Sequence, residues 1–133
     1  MLVYLDSNIV IYLVEQPVQF GQRATARFAE LLAAGDRIVV SDLTRLECRS
    51  HAIAIGDQVS LAQYDAFFAQ APERVVLLTT AVCDRAAVIR GQYRLKIPDA
   101  IHLGAALEAG CDVFLTNDTR LTAFHDIAVE LLG

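Results

Sequence analysis

The segment IPDAIHLGAALEAGCDVFLTND, residues 97–118, decides the fold. Pro98 stands where a first helical turn tolerates proline, and Gly110 stands where a helix stops, so a helix is predicted between them. Residues 98–109 are apolar almost all round, as a helix is when it is covered on more than one side. The run from Cys111 to Leu115 shows no in/out alternation, which marks a strand buried on both faces. It halts at Thr116-Asn117-Asp118, so an acid follows directly on a buried strand.

The same unit recurs outward from that segment. Leu2 to Leu5 is an apolar run that halts at Asp6-Ser7-Asn8, read as a strand followed by a helix or turn start. Residues 21–34 carry Ala24, Phe28, Leu31 and Leu32 at helical spacing. Arg37 to Val40 reads as a second strand, and Ser41 or Asp42 caps a helix running to about Ile55. A helix over residues 60–71, a third strand over Val75–Leu78 and a helix over residues 80–93 complete the first part. A short helix at residues 119–124 and a strand near Ile127 to Leu131 finish the chain. Strands alternating with helices, each strand a continuous apolar run, predict a three-layer α/β/α sandwich around a four- to five-stranded, mainly parallel sheet.

The chain has 133 residues, which fits a single domain over residues 1–133. A hydrophobic share of 55% excludes a disordered chain. No apolar run reaches the ~18 residues a membrane span needs, and no basic stretch precedes the first apolar run, so no membrane association and a cytoplasmic location are expected. Cys48, Cys83 and Cys111 are odd in number, widely spaced and set among apolar residues, so they read as reduced, packed thiols. Sixteen acids against eleven bases give a net charge of −5, which by itself argues against a polyanionic partner. That argument weakens if several acids hold metal ions, and every base except Lys96 is Arg, whose planar fork suits phosphate.

In an open α/β sheet, ligands bind beyond the carboxyl ends of the strands. Asp6 and Asp118 follow strands there, and Asp99 lies in the first turn of the apolar helix. Glu47 falls on the wheel between Leu43 and Ala54, on a side shared with Leu46 and Ile53, where a carboxylate is costly unless a charge or metal compensates it. Each acid alone has a structural explanation: a helix cap for Asp6, a first-turn acid for Asp99, an Asn-Asp turn for Asp118, an Arg partner for Glu47. Asp42 reads as a cap. Together the four point at one mouth of the sheet, where hard divalent ions such as Mg2+ or Mn2+ prefer oxygen ligands.

Four stretches carry a resemblance: VYLDSNIVIYL (residues 3–13), SDLTRLEC (41–48), LKIPDAIHLGAALEAG (95–110) and VFLTNDTRL (113–121). In this order and over this length they resemble the small VapC-type PIN-domain proteins, ribonuclease toxins of type II toxin–antitoxin pairs. The resemblance implies an endoribonuclease that uses Mg2+ (or Mn2+) to activate water and leaves 5′-phosphate and 3′-hydroxyl ends. It places the four catalytic, metal-site acids at Asp6, Glu47, Asp99 and Asp118. Asp6 and Asp99 are expected as principal ligands, and Glu47 and Asp118 as holders of metal-bound waters or of a second ion. Asn8, Thr116 and Asn117 are expected to support the acids by hydrogen bonds. It also implies a homodimer and a VapB-type antitoxin whose C-terminal segment covers the site.

Other readings stay open at this level. Arg45, Arg49 and Arg94 are candidates for substrate phosphates, because their elements also deliver acids, against the plain reading of solvated helix faces. His102, three residues after Asp99, either touches a phosphate or metal or has no site role. His51 and His125 read as surface or packing residues. Leu61, Tyr64, Phe67 and Phe68 serve either the core or an interface. A non-catalytic RNA- or protein-binding module of the same fold is the alternative function. A phosphoacceptor signalling domain fits poorly, since the third strand ends at Thr79-Thr80 and the sole Lys precedes Asp99.

Overall fold

The computed structural model describes all 133 residues. Five strands, β1 (Leu2–Leu5), β2 (Arg37–Ser41), β3 (Val75–Val76), β4 (Val113–Thr116) and β5 (Ala128–Leu131), form one sheet in the order β3-β2-β1-β4-β5. Every neighbouring pair is parallel, with Tyr4 opposite Val39 on one side and Phe114 on the other. Six helices cover it: α1 (Ser7–Glu15), α2 (Gly21–Ala33), α3 (Asp42–Ala54), α4 (Gln58–Ala69), α5 (Thr80–Tyr93) and α6 (Ile97–Glu108). None is long and apolar enough to cross a membrane.

The two faces of the sheet carry separate cores, divided by the two-residue period of the strands. Val3 and Leu5 of β1 join Val40, Leu115, Ile9, Leu31, Cys48, Tyr64 and Phe68 beneath α1–α4. Tyr4 points the other way, onto Phe114, Val39, Leu103, Ala106, Val82 and Ile89 beneath α5 and α6. Gly104 lets those two helices approach closely, because a Cβ there would lie 3.0 Å from the Val82 carbonyl oxygen. Each fully buried Leu, Ile or Val contributes about 1.5–3 kcal/mol, so both layers are strongly held to the sheet.

Local chemistry sets the helix starts. Asp6 caps α1, Asp57 caps α4 and Thr79 caps α5, each through its side chain. Ser41 and Thr44 form a reciprocal capping box at α3, so Ser41 is the cap and Asp42 a first-turn acid.

Several expectations need correcting. The third strand is two residues long, not four, because it pairs on one side only and Leu77 and Leu78 run out exposed. The fourth begins at Val113, two residues late, since Gly110 adopts positive φ and the turn extends past it. The buried stripe of α3 is Leu43, Thr44, Cys48 and Ala52, while Leu46 and Ile53 are exposed. The α3 wheel is therefore rotated from the one its apolar residues suggest. Tyr64 and Phe68 are buried, and Leu61 and Phe67 pack beside them, which gives these four residues to the core. Cys48 and Cys111 are packed, and burial pushes both thiols up to about 12, but Cys83 is exposed on α5.

Candidate functional site

The strand order sets where a site belongs. From β1 the chain builds outward through β2 to β3, then returns to the far side of β1 for β4 and β5. The crevice between the carboxyl ends of β1 and β4 is therefore the switch point, where neighbouring connections diverge and leave room for a ligand. Asp6 follows β1 there, Asp118 follows β4, and α6 brings Asp99 in its first turn.

Asp6 is buried and held at both oxygens. Its Oδ1 accepts from the Ser7 amide at 2.8 Å, and its Oδ2 accepts from the Thr116 hydroxyl at 2.7 Å. Thr116, fully buried at the end of β4, is a hub. Its Oγ1 also accepts from the Asp118 amide at 3.0 Å and from the Asn8 side-chain amide at 3.5 Å. The Asn8 Oδ1 is buried with no partner, an acceptor left open beside the acids.

Glu47 reaches the cleft from α3. Its Oε1 accepts from the Ser7 hydroxyl at 2.8 Å and lies 2.6 Å from His102 Nε2. Burial opposes its ionisation, but the His102 hydrogen bond and charge, with Ser7, outweigh burial and hold its carboxyl below the ordinary value. His102 comes from α6, and its Nδ1 lies 2.7 Å from the Tyr4 hydroxyl, which in turn donates to Ser41 Oγ at 2.7 Å.

The outer side is built differently. Asp99 is raised above its ordinary value by burial first, then by the charges of Asp6 and Asp118. Asp118 is lowered, chiefly by hydrogen bonds from Arg120, whose Nε donates to Oδ1 at 2.9 Å. The same guanidinium stands 3.8 Å from Asp99. Its positive charge is the one that acts on both outer acids.

The cleft thus gathers Asp6, Asp99 and Asp118, with Glu47 tied to it through Ser7 and His102. The donors are all oxygen, with excess negative charge and an open buried acceptor at Asn8, which suits a hard divalent ion. No three of the acidic, His or Cys side chains yet close around one point, so Asp118 would have to release Arg120 to join Asp6 and Asp99.

Other expected residues lie elsewhere. Asn117 turns its amide to the Tyr12 hydroxyl at 3.5 Å and does not support the acids. Arg49 donates to Asp65 of α4 at 2.8 Å and Arg45 lies 3.8 Å from the same carboxylate, so both are engaged along α4. Arg94, at the C-cap of α5, is exposed and makes no ion pair. His51 lies 3.6 Å from Glu15, and His125 is on the surface. The residues not anticipated are Ser7, Tyr4, Ser41 and Arg120. Two of them had a signal in the sequence, since Ser7 adjoins one acid and Arg120 follows another by two residues.

Comparison with known proteins places this architecture. Among curated proteins, none matches the sequence. Solved structures do match over nearly the whole chain. A VapBC complex from Rickettsia felis bound to promoter DNA shares 16% identity at TM-score 0.76, covering 98% of each chain. A toxin–antitoxin complex from Klebsiella pneumoniae shares 21% at TM-score 0.73, again covering 98% of each. A sarcin–ricin loop cleaving VapC toxin from Mycobacterium tuberculosis shares 15% at TM-score 0.72, covering 95% of this chain and 98% of that one. The PIN-domain family matches residues 3–129, and the chain belongs to that family.

Proposed function

We propose that this protein is a Mg2+- or Mn2+-dependent endoribonuclease, the toxin of a type II toxin–antitoxin module. The observation that carries the reading is the convergence of Asp6, Asp99 and Asp118 at the β1/β4 switch point, close enough that two of them raise the pKa of the third. Such repulsion is costly unless a cation answers it. The VapBC and toxin–antitoxin complexes that share the fold support a toxin held by a VapB-type antitoxin.

Asp6 and Asp99 are the principal holders of the ion, with Asp118 and Glu47 at its flanks. A bound divalent ion supplies charge for the phosphate and acidity for the attacking water. The chain supplies position. Thr116 and Ser7 fix both oxygens of Asp6 before substrate arrives. Glu47, with Oε1 occupied by Ser7 and His102, orients water through Oε2. Water attacks phosphorus and the bond to the 3′ oxygen breaks, leaving a 3′-hydroxyl and a 5′-phosphate. Of the three arginines expected to meet substrate phosphates, Arg94 alone is free of an ion pair and keeps that role. The resemblance to VapC-type toxins is the ground on which we propose a homodimer as the active form.

The test is cleavage of labelled total RNA by purified, antitoxin-free protein with Mg2+, Mn2+ or EDTA, beside D6N and D99N. Discrete fragments lost with EDTA and with both substitutions are expected. Cleavage that survives either would place the chemistry elsewhere. No cleavage by folded, metal-loaded protein would favour a non-catalytic binding module.

A further inference from the structure

We propose that His102 is the positioning residue of the acid cleft, holding Glu47 so that a single carboxylate oxygen, Oε2, faces the ion and its water. This rests on the nuclease reading above and deepens it.

The His102 ring is 2% exposed, so it is no surface ligand for RNA. A carboxylate only accepts hydrogen bonds, so Nε2 is the donor in the 2.6 Å contact. Ser7 donates to the same Oε1 at 2.8 Å, which fills that oxygen. No hydrogen bond from the chain reaches Oε2. The Nε2 to Asp6 Oδ1 separation of 3.8 Å is too long for a hydrogen bond, so among the acids the ring hydrogen-bonds Glu47 alone, with Ser7 Oγ 3.3 Å from the same nitrogen.

The other edge of the ring is braced from the core. Nδ1 lies 2.7 Å from the hydroxyl of Tyr4, a fully buried residue stacked on Phe114 at 5.2 Å. Tyr4 is tied at 2.7 Å to Ser41, which caps α3, the helix that carries Glu47. One ring therefore locks β1, α3 and α6 in register. Because α6 also carries Asp99 three residues earlier, a single helix delivers one acid to the cleft and sets the orientation of the acid opposite.

A buried histidine that merely satisfies the core would affect stability and nothing else, which gives the test its contrast. Mn2+ affinity is measured by calorimetry on RNA-free protein at 15 °C, with Tm and RNA cleavage beside it, for wild type, His102→Met, His102→Gln and Glu47→Gln. His102→Met keeps bulk without a donor, and Mn2+ affinity is expected to fall about 10–100-fold, the usual cost of losing such a partner. His102→Gln, whose amide can donate to Oε1, is expected to recover most of it. In cleavage, kcat falls in His102→Met while KM for RNA changes little. In the Glu47→Gln background, His102→Met is expected to add no further loss, since the two act through one contact. Wild-type Mn2+ affinity in folded His102→Met, or a full further loss on top of Glu47→Gln, would overturn the inference while leaving the nuclease reading intact. Absence of Mn2+ binding by wild type would overturn both. If His102→Met does not fold, Tyr4→Phe removes the brace at Nδ1 together with the tie to Ser41, and Ser41→Ala beside it removes that tie alone. Mn2+ binding weaker in Tyr4→Phe than in Ser41→Ala supports the inference, and equal binding in the two overturns it.

Discussion

The inner and outer sides of the acid cleft are built on opposite principles. Asp6 and Glu47 on the inner side are tied down by Ser7, Thr116 and His102, whose own partners lie in the core. Asp99 and Asp118 on the outer side share one exposed guanidinium, and Asp99 bears the repulsion of Asp6 and Asp118. Hydrogen bonds in a buried network are costly to break and keep geometry fixed. An exposed ion pair is weak and exchanges freely. The cleft thus presents a rigid wall and an adjustable one, the division expected where a ligand must be admitted without rebuilding the site.

The largest effect should come from removing a charge on either wall. D6N and D99N are each expected to lower RNA cleavage more than a hundredfold, beyond the roughly 10–100-fold typical of outer partners. Retained cleavage in one of them would show that only one wall takes part. Next comes the hub of the inner wall. Thr116→Val leaves Asp6 Oδ2, the Asp118 amide and the Asn8 amide without their partner, and is expected to cost about 2–3 kcal/mol in denaturant unfolding.

The outer wall should respond with the opposite sign. Asp99 titrates higher in the folded chain than in the unfolded one, so its charge destabilises the metal-free fold. The penalty is complete above the raised pKa and fades as pH falls toward the unfolded carboxylate range. D99N is therefore expected to stabilise metal-free protein by about 1 kcal/mol at pH 8, with the gain shrinking through about pH 4 and gone below about pH 3, as followed by Tm across pH. The smallest effect is expected for Arg120→Gln, which should leave Tm unchanged and tighten Mn2+ binding a few-fold in calorimetry. A Tm loss there as large as that of Thr116→Val would erase the contrast between the walls.

How much of this could be read beforehand follows from what each feature depends on. The sheet and the positions of Asp6 and Asp118 were legible because they depend on local runs: an apolar strand, then an acid. Asp99 was legible as a first-turn acid on a helix apolar all round. Glu47 was singled out from a wheel that α3 does not use, since Leu46 and Ile53 face solvent. Its tie to the cleft comes from Ser7 and His102, contacts between residues 40 and 55 positions apart. Spacing within one helix carries no such information. Asn117 and the α3 arginines fail for the same reason, their partners being Tyr12 and Asp65 on other elements.

The most direct test of the central claim is the chemistry of the ends. Purified, antitoxin-free protein is incubated with RNA and Mg2+, and the fragments are offered to a ligase that requires 5′-phosphate and to one that requires a 2′,3′-cyclic phosphate. Metal-dependent attack of water gives 5′-phosphate fragments that ligate without a kinase and disappear with EDTA. Cyclic phosphate ends formed equally in EDTA would contradict it, because the acids of the cleft would then have no part in the cut.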